Sequence, residues 1–173
     1  LAHLALADLY ASGNLAAVIT QNIDGLHQAA GLPDDAVIEL HGNTRRVKCM
    51  TCGCLVPLAE ALDRIEKGDV APECGCGGYL KPDTISFGQS LRQAELQRAF
   101  SLSQSCDLFL AIGSTLIVQP ASLMPGYAKR AGAYLAIVNM SETPYDEDCD
   151  LLIRDQAGAV MDKVVKMVNA RSD

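Results

Sequence analysis

The sequence has no excess of basic charge. Its 173 residues carry 14 Lys and Arg against 21 Asp and Glu, a formal net charge of -7, whereas phosphate-rich partners call for the opposite sign. Direct nucleic-acid binding and attraction to an acidic membrane are therefore not expected, and basic protein segments are better-matched partners. Long apolar runs are missing as well. Segments such as Asp107–Gly113 (DLFLAIG) fall far short of a membrane span, and no basic stretch followed by an apolar core and a cleavage site marks secretion. The expectation is a cytoplasmic protein with no membrane segment. The chain opens at Leu1, already inside a predicted amphipathic helix, so the start of the gene product is expected upstream. Internal repeats and low-complexity tracts are absent. Tryptophan does not occur and histidine occurs three times, against seven cysteines.

With 49% apolar residues, the chain can build one principal core and a small satellite. Leu1–Ser12 places leucine and alanine at helical spacing before Gly13-Asn14, a helix stop. Short apolar runs follow at Ala16–Thr20, Val37–Leu40, Leu108–Ile112 and Tyr134–Val138. Each is of the kind buried in a parallel sheet, and each ends in polar residues. Helices are predicted over Leu58–Lys67, over Ala121–Ala131 with an interruption at Pro125, and over Ala157–Asn169 as a peripheral closing element. Strands alternating with helices predict an α/β fold, a doubly wound and mostly parallel Rossmann-like sheet whose ligands bind beyond the carboxyl ends of the strands. Residues 47–83 break the alternation with cysteine, glycine and proline and read as a small inserted zinc-binding module.

Cys49-Met-Thr-Cys52 followed by Cys74-Gly-Cys76 matches the paired knuckles of a structural zinc site, four thiolates around one ion. Disulfides or unrelated thiols are the alternative, and a cluster inside an α/β chain favours metal. The second pair is C-x-C rather than C-x-x-C, and Gly75 is expected to give the backbone freedom that this requires. Cys54 is a spare or an alternative ligand. Such a closed site would fold the module and take no part in chemistry. Cys106 and Cys149 read as small buried residues.

Taken alone, the Gln21-Asn22-Ile23-Asp24 loop is explained equally well by loop capping, His41 by an ordinary surface or hydrogen-bonded histidine, and Gly113-Ser114-Thr115 by a strand-to-helix turn. In order along the chain, however, stand TQNIDGLH (20–27), the His41-Gly42 pair after a strand, the cysteine module, KPDTISFG (81–88), GSTLIVQPAS (113–122) and IVNMSETP (137–144). In these motifs the whole chain resembles the sirtuin family.

The resemblance implies an NAD-binding α/β domain (1–46 and 84–173) with the zinc module (47–83) inserted, and NAD-dependent removal of acyl groups, acetyl foremost, from protein lysines. It implies His41 as the catalytic base on the ribose hydroxyls of the nicotinamide half. It gives Gln21, Asn22 and Asp24 as contacts to that ribose and to the carboxamide, and Gly113, Ser114, Thr115 and Asn139 as contacts to the rest of NAD. Ile85, Ser86, Phe87 and Gly88 match the segment that receives the acyl-lysine substrate. Two departures leave the acyl preference open: Ser86 stands where an aromatic residue is usual, and Gln89 where an acidic one is. The family's N-terminal strand and glycine-rich phosphate loop have no counterpart, so residues 1–173 alone are expected to be inactive. Protein ADP-ribosylation on the same fold, or a noncatalytic zinc-bearing adaptor for acylated or basic peptides, are the rival readings.

Overall fold

The computed structural model describes residues 1–86 and 88–172. The chain divides into two compact units: the first comprises residues 1–19, 27–38 and 92–173, the second residues 20–26 and 39–91.

The first unit is α/β. Its parallel sheet runs β6 (Leu108–Ile112), β7 (Tyr134–Val138) and β8 (Leu151–Ile153) side by side in that order, with Leu108 opposite Tyr134 and Ala136 opposite Leu151. The central strand is the most buried, with Leu135 and Ile137 fully enclosed, as an uninterrupted apolar run requires. Between β6 and β7 the chain forms a single 3-10 turn, Ala121–Leu123, and then α5 (Met124–Arg130). Pro125 therefore sits in the first turn of α5, where its missing N–H costs nothing, and does not interrupt a longer helix.

Helix α1 (Ala2–Ala11) owes its form to alanine and leucine and stops where Gly13 turns to φ +75, with the Asn14 N–H donating to the Leu9 carbonyl at 2.8 Å. Its buried face, Ala5, Leu6 and Leu9, packs with Met161 and Val165 of α6 (Ala157–Ser172), with Leu32, Ala36 and Val37, and with Leu110 and Ile112 of β6. Met161 is fully buried, so α6 belongs to the main core and is not peripheral. Helix α4 (Gln93–Ser105) packs on α5 through an edge-on contact of Phe100 with Tyr127.

Strands β1 (Val18–Thr20) and β2 (Val37–Glu39) are hydrogen-bonded neighbours, and the chain passes into the second unit at Thr20 and at Glu39. In that unit β3 (Gly42–Cys49) lies between β4 (Leu55–Pro57) and β5 (Leu80–Thr84), antiparallel to both, and α3 (Leu58–Glu66) packs on β3. Few apolar residues are buried here, among them Leu40, Val47 and Ala61. No helix among the described residues is long and apolar enough to cross a membrane.

Candidate active site and metal centre

At the end of β1 the chain leaves regular structure and caps itself. The Asn22 N–H donates to Thr20 Oγ1 at 3.1 Å, and the Leu26 N–H donates to Asp24 Oδ1 at 3.0 Å. These bonds hold Asn22 and Asp24 exposed on a shaped loop. Gly25, at φ +68, completes the loop, and a Cβ there would meet the Arg45 side chain at 2.2 Å.

His41 follows β2 and is half-buried. Its Nδ1 lies 3.0 Å from the backbone carbonyl of Gln21. A carbonyl oxygen only accepts, so Nδ1 carries the proton of the neutral ring and the lone pair is on Nε2. The His41 carbonyl accepts from the Ile85 N–H at 2.9 Å, so Gln21, His41 and Ile85 form one hydrogen-bonded chain. Ser86 is exposed, and its N–H donates to Gln89 Oε1 at 2.8 Å. Gly88 is exposed at φ +84, and Phe87 lies outside the described residues.

Around the His41 turn sit groups that sequence reasoning did not single out. Glu39, Asn43 and Asp83 are buried, and Arg46 bridges the two carboxylates, with Nη2 to Glu39 at 2.7 Å and Nε to Asp83 at 2.8 Å. Burial, which disfavours the charged form, is outweighed at Arg46 by hydrogen bonds to Asp83 and Glu39 and by their charge, so the guanidinium is raised above its ordinary pKa.

In the first unit the polar strand ends are equally ordered. Gly113, at φ +61, donates its N–H to the Val138 carbonyl at 2.9 Å, which ties the end of β6 to the residue before Asn139. Ser114 Oγ accepts from the Leu116 N–H at 3.2 Å. Leu116 is held at φ +53, the only non-glycine residue at positive φ among those described, and it is buried. No residue-type signal points to that conformation, and such strain concentrates in ligand loops. Asn139 is buried and donates Nδ2 to Ser141 O at 3.0 Å, while Arg154 reaches the Asn139 carbonyl at 3.3 Å. Thr115 is exposed.

The cysteine module converges. The Sγ atoms of Cys49, Cys52, Cys74 and Cys76 all lie within 4.8 Å of one another. Cys49 and Cys76 are 3.5 Å apart, and Cys52 and Cys74 are 3.7 Å apart. A tetrahedral zinc site with Zn–S of about 2.3 Å has S···S edges of about 3.8 Å, so the four thiols fit a zinc ion. Cys54 Sγ touches Cys74 Sγ at 3.2 Å but is not one of the converging four. The backbone N–H of Cys52, opposed by burial and joined by the N–H of Thr51, lowers the Cys49 thiol to about 6.

The glycines that shape this knuckle are not the expected one. Gly75 has an ordinary φ and open space around it, whereas Gly77 makes the turn at φ +81, and a Cβ on Gly78 would meet Cys49 Sγ at 2.7 Å. Cys106 and Cys149 are half-buried, and their thiols donate to the carbonyls of Ser103 and Asp146.

Comparison with known proteins gives a consistent picture. The Sir2 family profile matches residues 1–120. The chain is 50% identical over 160 residues to NAD-dependent protein deacetylase 1 of Bradyrhizobium diazoefficiens, covering 92% of this chain and 63% of that protein. It is 46% identical over 169 residues to the NAD-dependent protein deacetylase of Sulfolobus acidocaldarius, covering 98% of this chain and 66% of that protein. Among solved structures it resembles Sir2 bound to acetylated peptide, with a TM-score of 0.87 and 36% identity over 97% of this chain and 70% of that one. The chain thus spans just under two thirds of the length of either deacetylase.

Proposed function

Given that the chain belongs to the Sir2 family, we propose that the protein removes acyl groups, acetyl foremost, from protein lysines at the expense of NAD, giving nicotinamide, free lysine and O-acyl-ADP-ribose. The observation that carries this reading is the His41–Gln21 contact of 3.0 Å, which leaves Nε2 as the basic atom of a neutral imidazole. NAD supplies an electrophilic anomeric carbon with nicotinamide as its leaving group.

Each residue has a part suited to its chemistry. His41 Nε2 accepts the proton of a ribose hydroxyl, which makes that oxygen the nucleophile toward the acyl carbon, and later returns a proton to the product side. Gln21, Asn22 and Asp24 hold the nicotinamide ribose and carboxamide, since amides and a carboxylate satisfy hydroxyl and amide groups and keep the reactive pose. Gly113, Ser114, Thr115 and Asn139 hold the remainder of NAD. Ile85, Ser86, Phe87 and Gly88 pair with the substrate backbone and admit the acyl-lysine, a mode tolerant of many peptide sequences. In this assignment residues 1–46 and 84–173 form the NAD-binding domain and residues 47–83 the zinc module. Cys49, Cys52, Cys74 and Cys76 would hold a zinc ion with no open position, so it maintains the module and activates no water. A cytoplasmic location suits seven cysteines that are all free.

The test is to incubate the full-length protein with an acetyl-lysine peptide and NAD and to follow nicotinamide and O-acetyl-ADP-ribose together. His41→Ala is expected to lower turnover by about a thousandfold while NAD still binds in calorimetry. Near-normal turnover in that variant would remove His41 from the role of base, and a modified protein in place of O-acetyl-ADP-ribose would point to ADP-ribosylation.

A further inference from the structure

The turn that carries His41 is flanked by an ion-pair bridge from Arg46 to Glu39 and Asp83. Along β3, Asn43 stands opposite Asp83 of β5 while Val47 stands opposite Pro82, so residues 44–46 bulge out of the pairing. Bulges of this kind re-aim side chains. Here the bulge turns Arg46 back toward the start of the strand. Its guanidinium then joins Glu39, the residue entering the turn, to Asp83, on the strand that receives it. The second oxygen of Glu39 accepts from Asn43 Nδ2, and Asn43 Oδ1 accepts from the Arg45 N–H at 2.7 Å. His41 lies between Glu39 and Asn43, with its carbonyl on the Ile85 N–H and its ring on the Gln21 carbonyl.

We infer that Arg46 is a positioning residue for His41: by bridging Glu39 and Asp83 it fixes the 39–43 turn so that Nδ1 stays on the Gln21 carbonyl and Nε2 is presented to the reacting hydroxyl. This rests on the reading of His41 as the base. Two carboxylates in different directions need a planar fork with separate N–H groups. A lysine ammonium, a compact point charge, keeps the charge but not both directions. With the bridge loosened, the turn gains freedom, the ring leaves its carbonyl part of the time, and the two neutral tautomers interchange.

The decisive variant is Arg46→Lys in the full-length protein, because it preserves the charge balance that burial of Glu39 and Asp83 demands. Two readouts are used. The first, independent of NAD and of turnover, is the imidazole nitrogen NMR pattern of His41: wild type is expected to show the Nδ1–H tautomer, and Arg46→Lys a mixture of both. The second is the kinetic split: kcat is expected to fall about 10- to 100-fold, the cost of misplacing a catalytic group by about an ångström, with KM for NAD within about twofold. Asp83→Asn, which keeps the shape and one acceptor, is the companion variant, and it decides the matter if Arg46→Lys does not fold; a smaller shift of the same two readouts is expected. An unchanged His41 tautomer, or a folded variant with wild-type kcat, overturns the inference and reduces the bridge to a structural ion pair. His41→Ala measured in parallel keeps the two claims apart. If that variant retains turnover, the base assignment falls, while the tautomer pattern still reports whether Arg46 orders the ring.

Discussion

A single methyl group added at Gly42 would probe the tight packing of the His41 turn most severely. Gly42 sits at φ +77, and a Cβ built there would lie 1.9 Å from the Asp83 carbonyl oxygen and 3.2 Å from Thr84 Cα. Relief requires the two backbone segments to part by more than 1 Å, since Cβ contacts below 3.0 Å are essentially never seen. Gly68, in the same unit at φ +98, has nothing within 4 Å of its would-be Cβ, so Gly68→Ala isolates the conformational cost. That cost is about 1 kcal/mol, the penalty of left-handed backbone for an L residue. Gly42→Ala adds the separation of β3 from β5, about 2 kcal/mol more by analogy with overpacked sites. In a chain of this size about 1 kcal/mol lowers Tm by about 3 °C, so scanning calorimetry should give about 3 °C for Gly68→Ala and about 10 °C for Gly42→Ala. Because the clash falls one residue from His41, nicotinamide release by the full-length protein should drop by more than about tenfold in Gly42→Ala below its Tm and stay unchanged in Gly68→Ala. Equal losses of Tm in the two variants, or full activity in folded Gly42→Ala, would refute the close approach of Gly42 to the Asp83 backbone.

Metal analysis should return about one zinc per chain; Cys49→Ala and Cys76→Ala should lose it together with the fold of the second unit, whereas Cys54→Ala should keep it. Zinc loss in Cys54→Ala would instead admit that sulfur to the site. In the first unit, the Lys129 ammonium and the Leu135 N–H hold the Asp150 carboxyl below the usual carboxylate range. A depressed folded-state pKa stabilises the fold above the unfolded value and loses that contribution as pH falls through the folded one. Tm should therefore decline on acidification below about pH 4, and Asp150→Asn should flatten the decline. An unaltered acid limb in Asp150→Asn would argue against this linkage.

How far the sequence could be read depended on what buried each segment. Leu108–Ile112 and Tyr134–Val138 were legible to the residue, because both are short uninterrupted apolar runs of the kind that strands of a parallel sheet carry. The antiparallel sheet of the second unit was not legible. Its central strand reads GNTRRVKC and its neighbour LKPDT, with charges and a proline where a hydrophobic pattern would announce a strand. Cysteines and an ion-pair bridge do there what apolar side chains do elsewhere, and neither has a period. Helix α4, rich in glutamine and serine, and the three-residue β8 carried too little apolar signal to be recognised. Two adjacent arginines in a sequence look like solvated surface, and only the bulge opposite Asp83 and Pro82 turns one of them inward. The knuckle illustrates the same limit on a smaller scale. Composition located a glycine-rich turn, but which glycine bends and which one yields space to Cys49 follows from φ and from packing.

The pairing of α1 with α6 also has a consequence in time. The helix at positions 2–11 completes its apolar face with residues at positions 157–172, so that face is not fully covered until α6 has been synthesised. Residues 39–91 of the second unit, by contrast, are contiguous, and their widest closure, Gly42 with Thr84, is far shorter in sequence than that of α1 with α6. On the ribosome the cysteine module is thus expected to order before α1 meets α6, with the faces of Leu6 and Leu9 that meet Met161 left exposed until it arrives. Long-range closure of that kind is slow and vulnerable to aggregation, and the apolar face of α1 carries that exposure until α6 covers it.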